Sequence, residues 1–455
     1  MNYNYSNPTV DVYFETKGKR RVSFTAWDKA YFIGSAARRL DFTKELTLPI
    51  LTSIETKVLL GTANTINVGL KLPKSLFEYI VEDALDLFQI GSMIFVSYGY
   101  GNMRTREFSA VVGFPTVTFD DASVVSMSME GSGALWFASR IETDLAKKGV
   151  RTDGWTCLEI LTQICESHRC EIYTLNSAGD EVPLLGGVVP NGYENLSSKI
   201  SYQPTVGKDF QLLKNVIIQT ANYNYYMSGN RLVVFNPKVT SGARAIPTFE
   251  YGGRGFVENG IYPIQSASIE NSGEAFPMAA RKIKSSDIDP ASKKKSTIEV
   301  SNGDPDINQP HNKRFGLSET KNALGDEIAS EKGHTVSMAA DDPRRKQRLV
   351  SEKQESLELA GLQITLEVLG MPELTPGQVI RVLGLTRLYN GSYYLKEVTH
   401  RFDGSGYKTT LGGFTAGVGE SANALLSEYQ GTGVPADTGV VLPPQADRMT
   451  ATPQE

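Results

Sequence analysis

Gly377-Gln378-Val379-Ile380-Arg381-Val382 repeats the Gly-x-x-Ile-x-Val pattern of Gly91-Ser92-Met93-Ile94-Phe95-Val96. In both places a strand-like stretch follows and ends in Phe-Asp at a turn, Phe119-Asp120 and Phe402-Asp403. A last alternating stretch then runs to glycine, Gly131 in one copy and Gly412-Gly413 in the other. From first Gly to Phe the distance is 28 residues in one copy and 25 in the other, a difference that one loop absorbs. Apolar residues at every second position put one face of a strand in a core and the other toward water. Two β-rich units of one plan are therefore expected toward opposite ends of the chain. Internal similarity of this kind says more about architecture than any single residue.

Working outward, Val10-Asp11-Val12-Tyr13-Phe14 and Ile66-Asn67-Val68-Gly69-Leu70-Lys71-Leu72 alternate with period two. Between 76 and 88 the period changes: Phe77, Ile80, Val81, Ala84, Leu85 and Phe88 share one helical face, with Pro73 just before it. Gly99-Tyr100-Gly101-Asn102 reads as a turn, and Phe108–Phe119 with Val124–Met129 as a hairpin around Asp120-Asp121. Further on, Thr156-Cys157-Leu158-Glu159 matches a capping box and predicts a helix to about Ser167, with Leu158, Leu161, Ile164 and Cys165 inward. A second helix is predicted from Asp209 as N-cap, with Phe210, Leu213, Ile217 and Ala221 on one face. It leads into a hairpin, Tyr223–Met227 and Leu232–Phe235, turned by Ser228-Gly229-Asn230.

From Arg281 to Glu355 the texture shifts. This stretch carries 15 basic and 13 acidic residues in 75, with Phe315 its only aromatic. Alone it cannot bury enough apolar area to offset its ordering entropy, so it reads as a long loop or disordered insert. Strands resume at Leu359–Val368, and the chain ends in a Gly/Pro-rich tail. The expected fold class is mainly β with an α+β middle module. A first β-barrel domain spans 1–140, an α+β domain 141–245, a second barrel 246–415 with the charged insert 281–355, and a tail 416–455.

The 455 residues suffice for several domains, and 46 Lys+Arg against 51 Asp+Glu leave a net charge of −5. That balance gives no global reason to bind nucleic acid or an anionic membrane. No stretch approaches the ~20 apolar residues that span a bilayer, and the start lacks the pattern of a signal peptide. Three cysteines make no disulfide framework. Gly (42) and Tyr plus Phe (20 and 19) tilt the chain toward turns and strands.

Chemistry is sparse. There is no H-E-x-x-H, no P-loop, no G-x-S-x-G and no EF-hand loop. Four histidines, His168, His311, His334 and His400, lie far apart and leave little material for acid–base work. Cys157, Cys165, His168 and Cys170 form the one metal-like cluster. Eight residues of helix separate Cys157 from Cys165 by roughly 12 Å, so the two cannot share a zinc ion on an unbroken helix. Small core cysteines and a histidine at a helix C-terminus explain the cluster more simply. His400, alone on a predicted strand, reads as a hydrogen-bonded structural histidine. Lys293-Lys294-Lys295 and Arg344-Arg345-Lys346-Gln347-Arg348 could touch phosphates, but Asp341-Asp342 and other acids beside them favour a solvated face or a charged subunit contact. Tyr223, Tyr225 and Tyr226 read as core or interface packing. The expectation is no enzyme: no catalytic, cofactor-binding or metal-binding residue is assigned, and no cofactor.

Pro376-Gly377-Gln378-Val379-Ile380-Arg381-Val382, Asn390-Gly391-Ser392-Tyr393-Tyr394-Leu395-Lys396-Glu397-Val398-Thr399-His400 and Gly406-Tyr407-Lys408-Thr409-Thr410-Leu411 together match a known pattern. They resemble the closing β-domain of phage tail baseplate hub proteins, the family that includes the late control protein D group and the hub part of type VI secretion spike proteins. The helix after Asp209 with its hairpin resembles that family's middle domain, and Gly91–Gly133 its first barrel. The sequence departs from the pattern in the charged insert 281–355 and in a tail without a spike β-helix or lysozyme domain. The resemblance implies a homotrimer, each chain supplying two barrels to a pseudo-sixfold ring between a hexameric tail tube and a threefold central spike. Implied partners are the tail tube protein, the central spike protein and other baseplate proteins, with no sequence-specific nucleic-acid contact and no membrane insertion. The implied place is the baseplate of a virion tail, built from chains made in the bacterial host cytoplasm. A tail-tip hub or receptor-binding protein of a non-contractile phage is the alternative, and a tail-associated peptidoglycan hydrolase stands behind both.

Overall fold

In the computed structural model the described residues are 8–15, 21–25, 50–74, 90–133 (without 102 and 120–123), 154–236 (without 177–179, 185–187, 200–207 and 222), 247–252, 261–271, 282–288, 295–301, 334–335 and 362–418 (without 387–388). The helix expected at 76–88 and nearly all of the tail lie outside them. The amino-terminal strands are β1 (Pro8–Glu15), β2 (Arg21–Thr25), β3 (Ile50–Leu59), β4 (Thr65–Pro73), β5 (Met93–Tyr100), β6 (Met103–Arg104), β7 (Phe108–Phe119) and β8 (Val124–Ser132). A middle segment holds helix α1 (Cys157–Ser167), β9 (Glu171–Leu175), β10 (Glu181–Pro183), helix α2 (Asp209–Lys214), β11 (Asn224–Ser228) and β12 (Arg231–Phe235). The rest is β13 (Thr248–Tyr251), β14 (Ile261–Asn271), β15 (Lys282–Ile288), β16 (Lys295–Ser301), β17 (His334–Thr335), β18 (Leu362–Leu369), β19 (Val379–Leu383), β20 (Gly391–Asp403) and β21 (Gly406–Val418).

One 14-stranded sheet runs through most of these strands, in the order β19-β13-β14-β18-β21-β20-β3-β4-β8-β7-β5-β1-β2 with β6 on β5. Because β19 also pairs with β20, the first six strands of that order close into a barrel. Its core holds Ile364, Leu366, Val368, Ile380, Val382, Tyr393, Leu395 and Leu411, all buried. The remaining strands wrap a second core of Val12, Phe14, Ile54, Ile66, Val68, Ile94, Val96 and Val112. Inward residues alternate along β1 and β20 as period-two reading expects.

The repeat is one of hydrogen bonds as well as letters. Gly91 N–H donates to the Val112 carbonyl (3.0 Å) and Val112 N–H to Ser92 (2.8 Å); Gly377 donates to Leu395 and Leu395 to Gln378, each at 2.9 Å. Both glycines sit at positive φ, 95° and 90°, which is why the pattern opens on Gly. The β7–β8 ladder slips at Val112/Phe114 and the β20–β21 ladder at Leu395/Glu397. The β3–β4 ladder slips at Leu51/Ser53 and the β14–β18 ladder at Ile264/Ser266. Bulges at matching positions are specific features, not noise. They equate β3 with β14, β4 with β18, β5 with β19, β7 with β20 and β8 with β21. β1 stands where β13 stands, but it runs antiparallel to β5 while β13 runs parallel to β19.

The middle segment builds a four-stranded sheet, β10-β9-β12-β11, under α1 and α2. The capping box forms as expected: Thr156 Oγ1 accepts from Glu159 N–H (3.2 Å), and Glu159 Oε2 accepts from Thr156 N–H (2.6 Å). The second helix differs from expectation. Lys208 is its N-cap, without a side-chain cap bond, and α2 passes into a π-helical turn at Asn215–Ala221. The insert differs too, because β15, β16 and β17 form a three-stranded sheet within it. Average charge hid a short stretch, Ile298-Glu299-Val300, whose local alternation suits a strand.

Candidate functional site

The two strand sets join along one strand. β20 serves both. Its Gly391–Tyr394 end pairs with β19 inside the closed barrel, and its Glu397–Asp403 end pairs with β3 of the other set. In that second ladder Phe402 lies opposite Ile54, His400 opposite Thr56 and Val398 opposite Val58, and all six are buried. Phe402 and Tyr407, from the β20–β21 hairpin tip, enter the core of the amino-terminal set. On the other face of the sheet Lys57 Nζ meets Glu397 Oε1 at 2.8 Å, a half-exposed pair that adds little.

His400 sits at the centre of this seam, 1% exposed. Its Nδ1 lies 2.8 Å from the Tyr407 hydroxyl, and its ring stacks on Tyr98 with centroids 5.5 Å apart. Tyr98 stacks in turn on Tyr407 (5.4 Å, 13° between planes) and shares a 2.8 Å hydrogen bond with Thr56 Oγ1. Burial holds the His400 imidazole neutral, lowering its pKa to about 4, with the Leu374 backbone pulling weakly the other way. Burial likewise lifts the Tyr98 and Tyr407 hydroxyls above the ordinary tyrosine range. Strands of both sets contribute to the cluster, so no single unit of the fold contains it. Gly370 makes room for it: a Cβ there would come within 2.1 Å of Tyr407 Cδ1.

The middle sheet locks the seam from the side. Gly61 N–H donates to the Tyr225 carbonyl (2.7 Å) and the Tyr225 hydroxyl donates back to the Gly61 carbonyl (2.8 Å). Tyr225 and Tyr226 thus both serve packing, as the sequence suggests: Tyr226 joins Phe235, Val233 and Leu175 in the amino-terminal core. Phe235 lies against Tyr394 (6.1 Å) and over Gly377, where a Cβ would meet its ring at 3.1 Å. The buried Glu181 carboxylate pairs with Arg106 of the strand set and with Arg231 of β12 (3.3 Å).

Cys157, Cys165 and Cys170 are all buried in the core of the middle segment. Burial raises the Cys165 thiol and pushes the Cys170 thiol up to about 12, far from thiolate chemistry at neutral pH. His168 Nε2 is 2.9 Å from Asp209 Oδ2, and Asp209 opens α2 as its first residue and not as the cap expected of it. Among the described residues no group of three or more His, Cys, Asp and Glu side chains comes together to hold a metal ion. His311 and the basic runs 293–295 and 344–348 lie outside the described residues or, at Lys295, outside those with a described side chain. No helix among the described residues is long and apolar enough to cross a membrane.

Sequence reasoning passed over two strand edges. The outer edge of β7 past Val112 and that of β14 past Ile264 carry no strand among the described residues. Val117 and Phe119 on β7 are exposed by 38% and 61%. The signal was there in the repeat, since their counterparts on β20 and β3 form the seam.

No protein-family model matches the sequence, and no curated protein matches it. The fold does match. The tail protein from Neisseria meningitidis MC58 aligns over 90% of this chain and 98% of its own, with TM-score 0.54 at 12% identity. The 43 kDa tail protein of prophage MuSo2 from Shewanella oneidensis aligns over 89% and 97%, with TM-score 0.52 at 10% identity. The fold is that of phage tail proteins. At such identity the shared feature is the arrangement of strands.

Proposed function

We propose that this chain is a structural hub of a contractile phage tail or phage-tail-like particle, a trimeric adaptor joining a hexameric tube to a threefold central spike. One observation carries the reading: each chain holds two strand sets in which five strands correspond, with matching bulges and matching Gly91 and Gly377 hydrogen bonds, joined edge to edge by β20 and β3. Three chains then present six similar units to a sixfold partner while keeping threefold symmetry for the other. A duplicated chain performs that conversion without a second gene product. The tail proteins of like fold are in keeping with it. So is a seam whose ionisable groups are held neutral by burial, an environment built for packing and not for turnover. The division of the chain near residues 140 and 245 belongs to the same reading, with the middle segment bracing the seam from outside. An obligate ring of this kind should bury on the order of 2,000 Å² or more per contact.

The test is a reconstruction of the purified chain by electron cryomicroscopy, supported by native mass. Three chains of 49.8 kDa make a particle of about 150 kDa, with six strand sets around one axis. A particle of any other symmetry overturns the adaptor reading.

A further inference from the structure

We propose that β7 of one chain pairs antiparallel along β14 of a second copy, setting Thr116 opposite Glu270, Val117 opposite Ile269 and Thr118 opposite Ser268. The proposal rests on the homotrimer reading above and names the surface that would close the ring. Its register comes from the seam already present within one chain. Matching bulges equate Leu395 with Val112 and Glu397 with Phe114 on one side of the seam, and Leu51 with Ile264 and Ser53 with Ser266 on the other. Inside the chain, Thr399 pairs with Lys57, His400 with Thr56 and Arg401 with Glu55. Carrying each partner to its counterpart in the other strand set gives the three pairs proposed.

The chemistry of the two edges agrees. Between Gly113 and Thr118 the outer edge of β7 has no strand among the described residues, and neither does β14 between Ser266 and Glu270. The counterparts of Val117 and Ile269 are His400, 1% exposed, and Thr56, 0% exposed. Val117 is 38% exposed, and Ala267 and Ile269 lie only partly buried against the barrel core. The pairing would cover these apolar side chains as its counterpart covers theirs. Pro115 stands beside the bulge, where a strand tolerates a missing donor. A lone apolar edge is a template for another strand, and main-chain pairing along it is a known mode of association. Because the two edges are different surfaces, the contact is head-to-tail, and it closes only as a ring.

Cysteines test the register. Opposed residues of an antiparallel pair have Cα atoms about 4.5–5.5 Å apart, within disulfide reach. The doubly substituted chain Val117→Cys/Ile269→Cys, oxidised at the concentration where wild type is assembled, should give a covalent three-chain species on a non-reducing gel. Either single substitution, and Val117→Cys/Glu270→Cys with its second thiol on the opposite face, should not. The native cysteines are buried and do not interfere. In parallel, Val117→Lys should raise the dissociation constant about a hundredfold, through burial of an unpaired ammonium, while the lone chain keeps its circular dichroism and melting temperature. A particle of about 150 kDa that shows no Val117–Ile269 linkage overturns this pairing and leaves the trimeric hub standing. A chain that keeps the mass of one subunit at its highest soluble concentration overturns both.

Discussion

Protonation of His400 should loosen the joint between the two strand sets, and the size of the effect follows from its burial. The imidazole is lowered to about 4 in the folded chain, against about 6.5 when exposed. Above pH 7 the ring is neutral in both states and costs nothing. Below about 6.5 the unfolded chain takes up a proton that the folded chain cannot accept, so stability falls by about 1.4 kcal/mol per pH unit. The loss ends near pH 4, where the folded state binds the proton too. The total is about 3 kcal/mol, a large part of the 5–15 kcal/mol typical of a folded domain. The perturbation is His400→Gln, which keeps similar volume and an acceptor for the Tyr407 hydroxyl but does not titrate. Urea unfolding of both chains between pH 8 and pH 4 isolates the histidine, because every other group titrates in both. At pH 8 wild type should be the more stable. That advantage should shrink by about 3 kcal/mol on acidification, with nearly all of the change between pH 6.5 and pH 4. An offset that stays constant across the range would show that His400 charges without penalty in the folded state, and would refute the account of the seam as a sealed, neutral joint.

Two further substitutions probe the elements that hold the seam. Gly370→Ala sets a methyl group against the Tyr407 ring, and moving that ring off Tyr98 and His400 should cost about 3 kcal/mol, with a visible change in near-ultraviolet circular dichroism. Thr156→Ala removes one half of the capping box and should cost about 1 kcal/mol. Hydrogen exchange should then speed up in the first turn of α1 and stay unchanged in β18–β21.

What could be read from the sequence was whatever a short window determines. The Gly-x-x-Ile-x-Val pattern is legible because a glycine at positive φ and an alternating strand are both local requirements, met at 91–96 and again at 377–382. The capping box is local for the same reason. Asp209 opens α2 as its first residue and not as its cap, and the partner of its carboxylate, His168, lies 41 residues away, beyond any local window. The sheet in the charged insert was missed because composition averages over 75 residues while a strand needs only seven. The seam was half visible. The Phe-Asp echo marked both hairpins, but Phe402 is 6% exposed and Phe119 is 61% exposed. No local pattern separates those two, since the difference lies in whether a neighbouring strand set stands against the hairpin.

That difference also bears on how wrong assemblies would be avoided. Within the chain the seam is aromatic and polar at its centre: the hydrogen-bonded His400–Tyr407 pair of β20 and β21 meets the Tyr98–Thr56 pair of β5 and β3 through stacked rings. In the proposed contact between chains the counterpart positions are aliphatic, Val117 and Ile269. If β14 of another copy displaced β3 from β20, the hydrogen-bonded Tyr98 and Thr56 would leave together, and Ile269 would face the His400–Tyr407 pair without the ring stacking that Tyr98 supplies, a loss of about 0.5–1.5 kcal/mol for each ring pair. If β3 left β20 for β7, Thr56 and Tyr98 would keep their hydrogen bond but would meet Val117 in place of the His400 ring. Each exchange forfeits the ring stacking across the seam, so the aromatic seam disfavours its own replacement by the aliphatic one. A duplicated chain whose two joints were chemically alike would have no such guard against swapped strands. In the proposed ring, the difference between His400 and Thr56 on one side and Val117 and Ile269 on the other would keep two copies of one fold alternating in order.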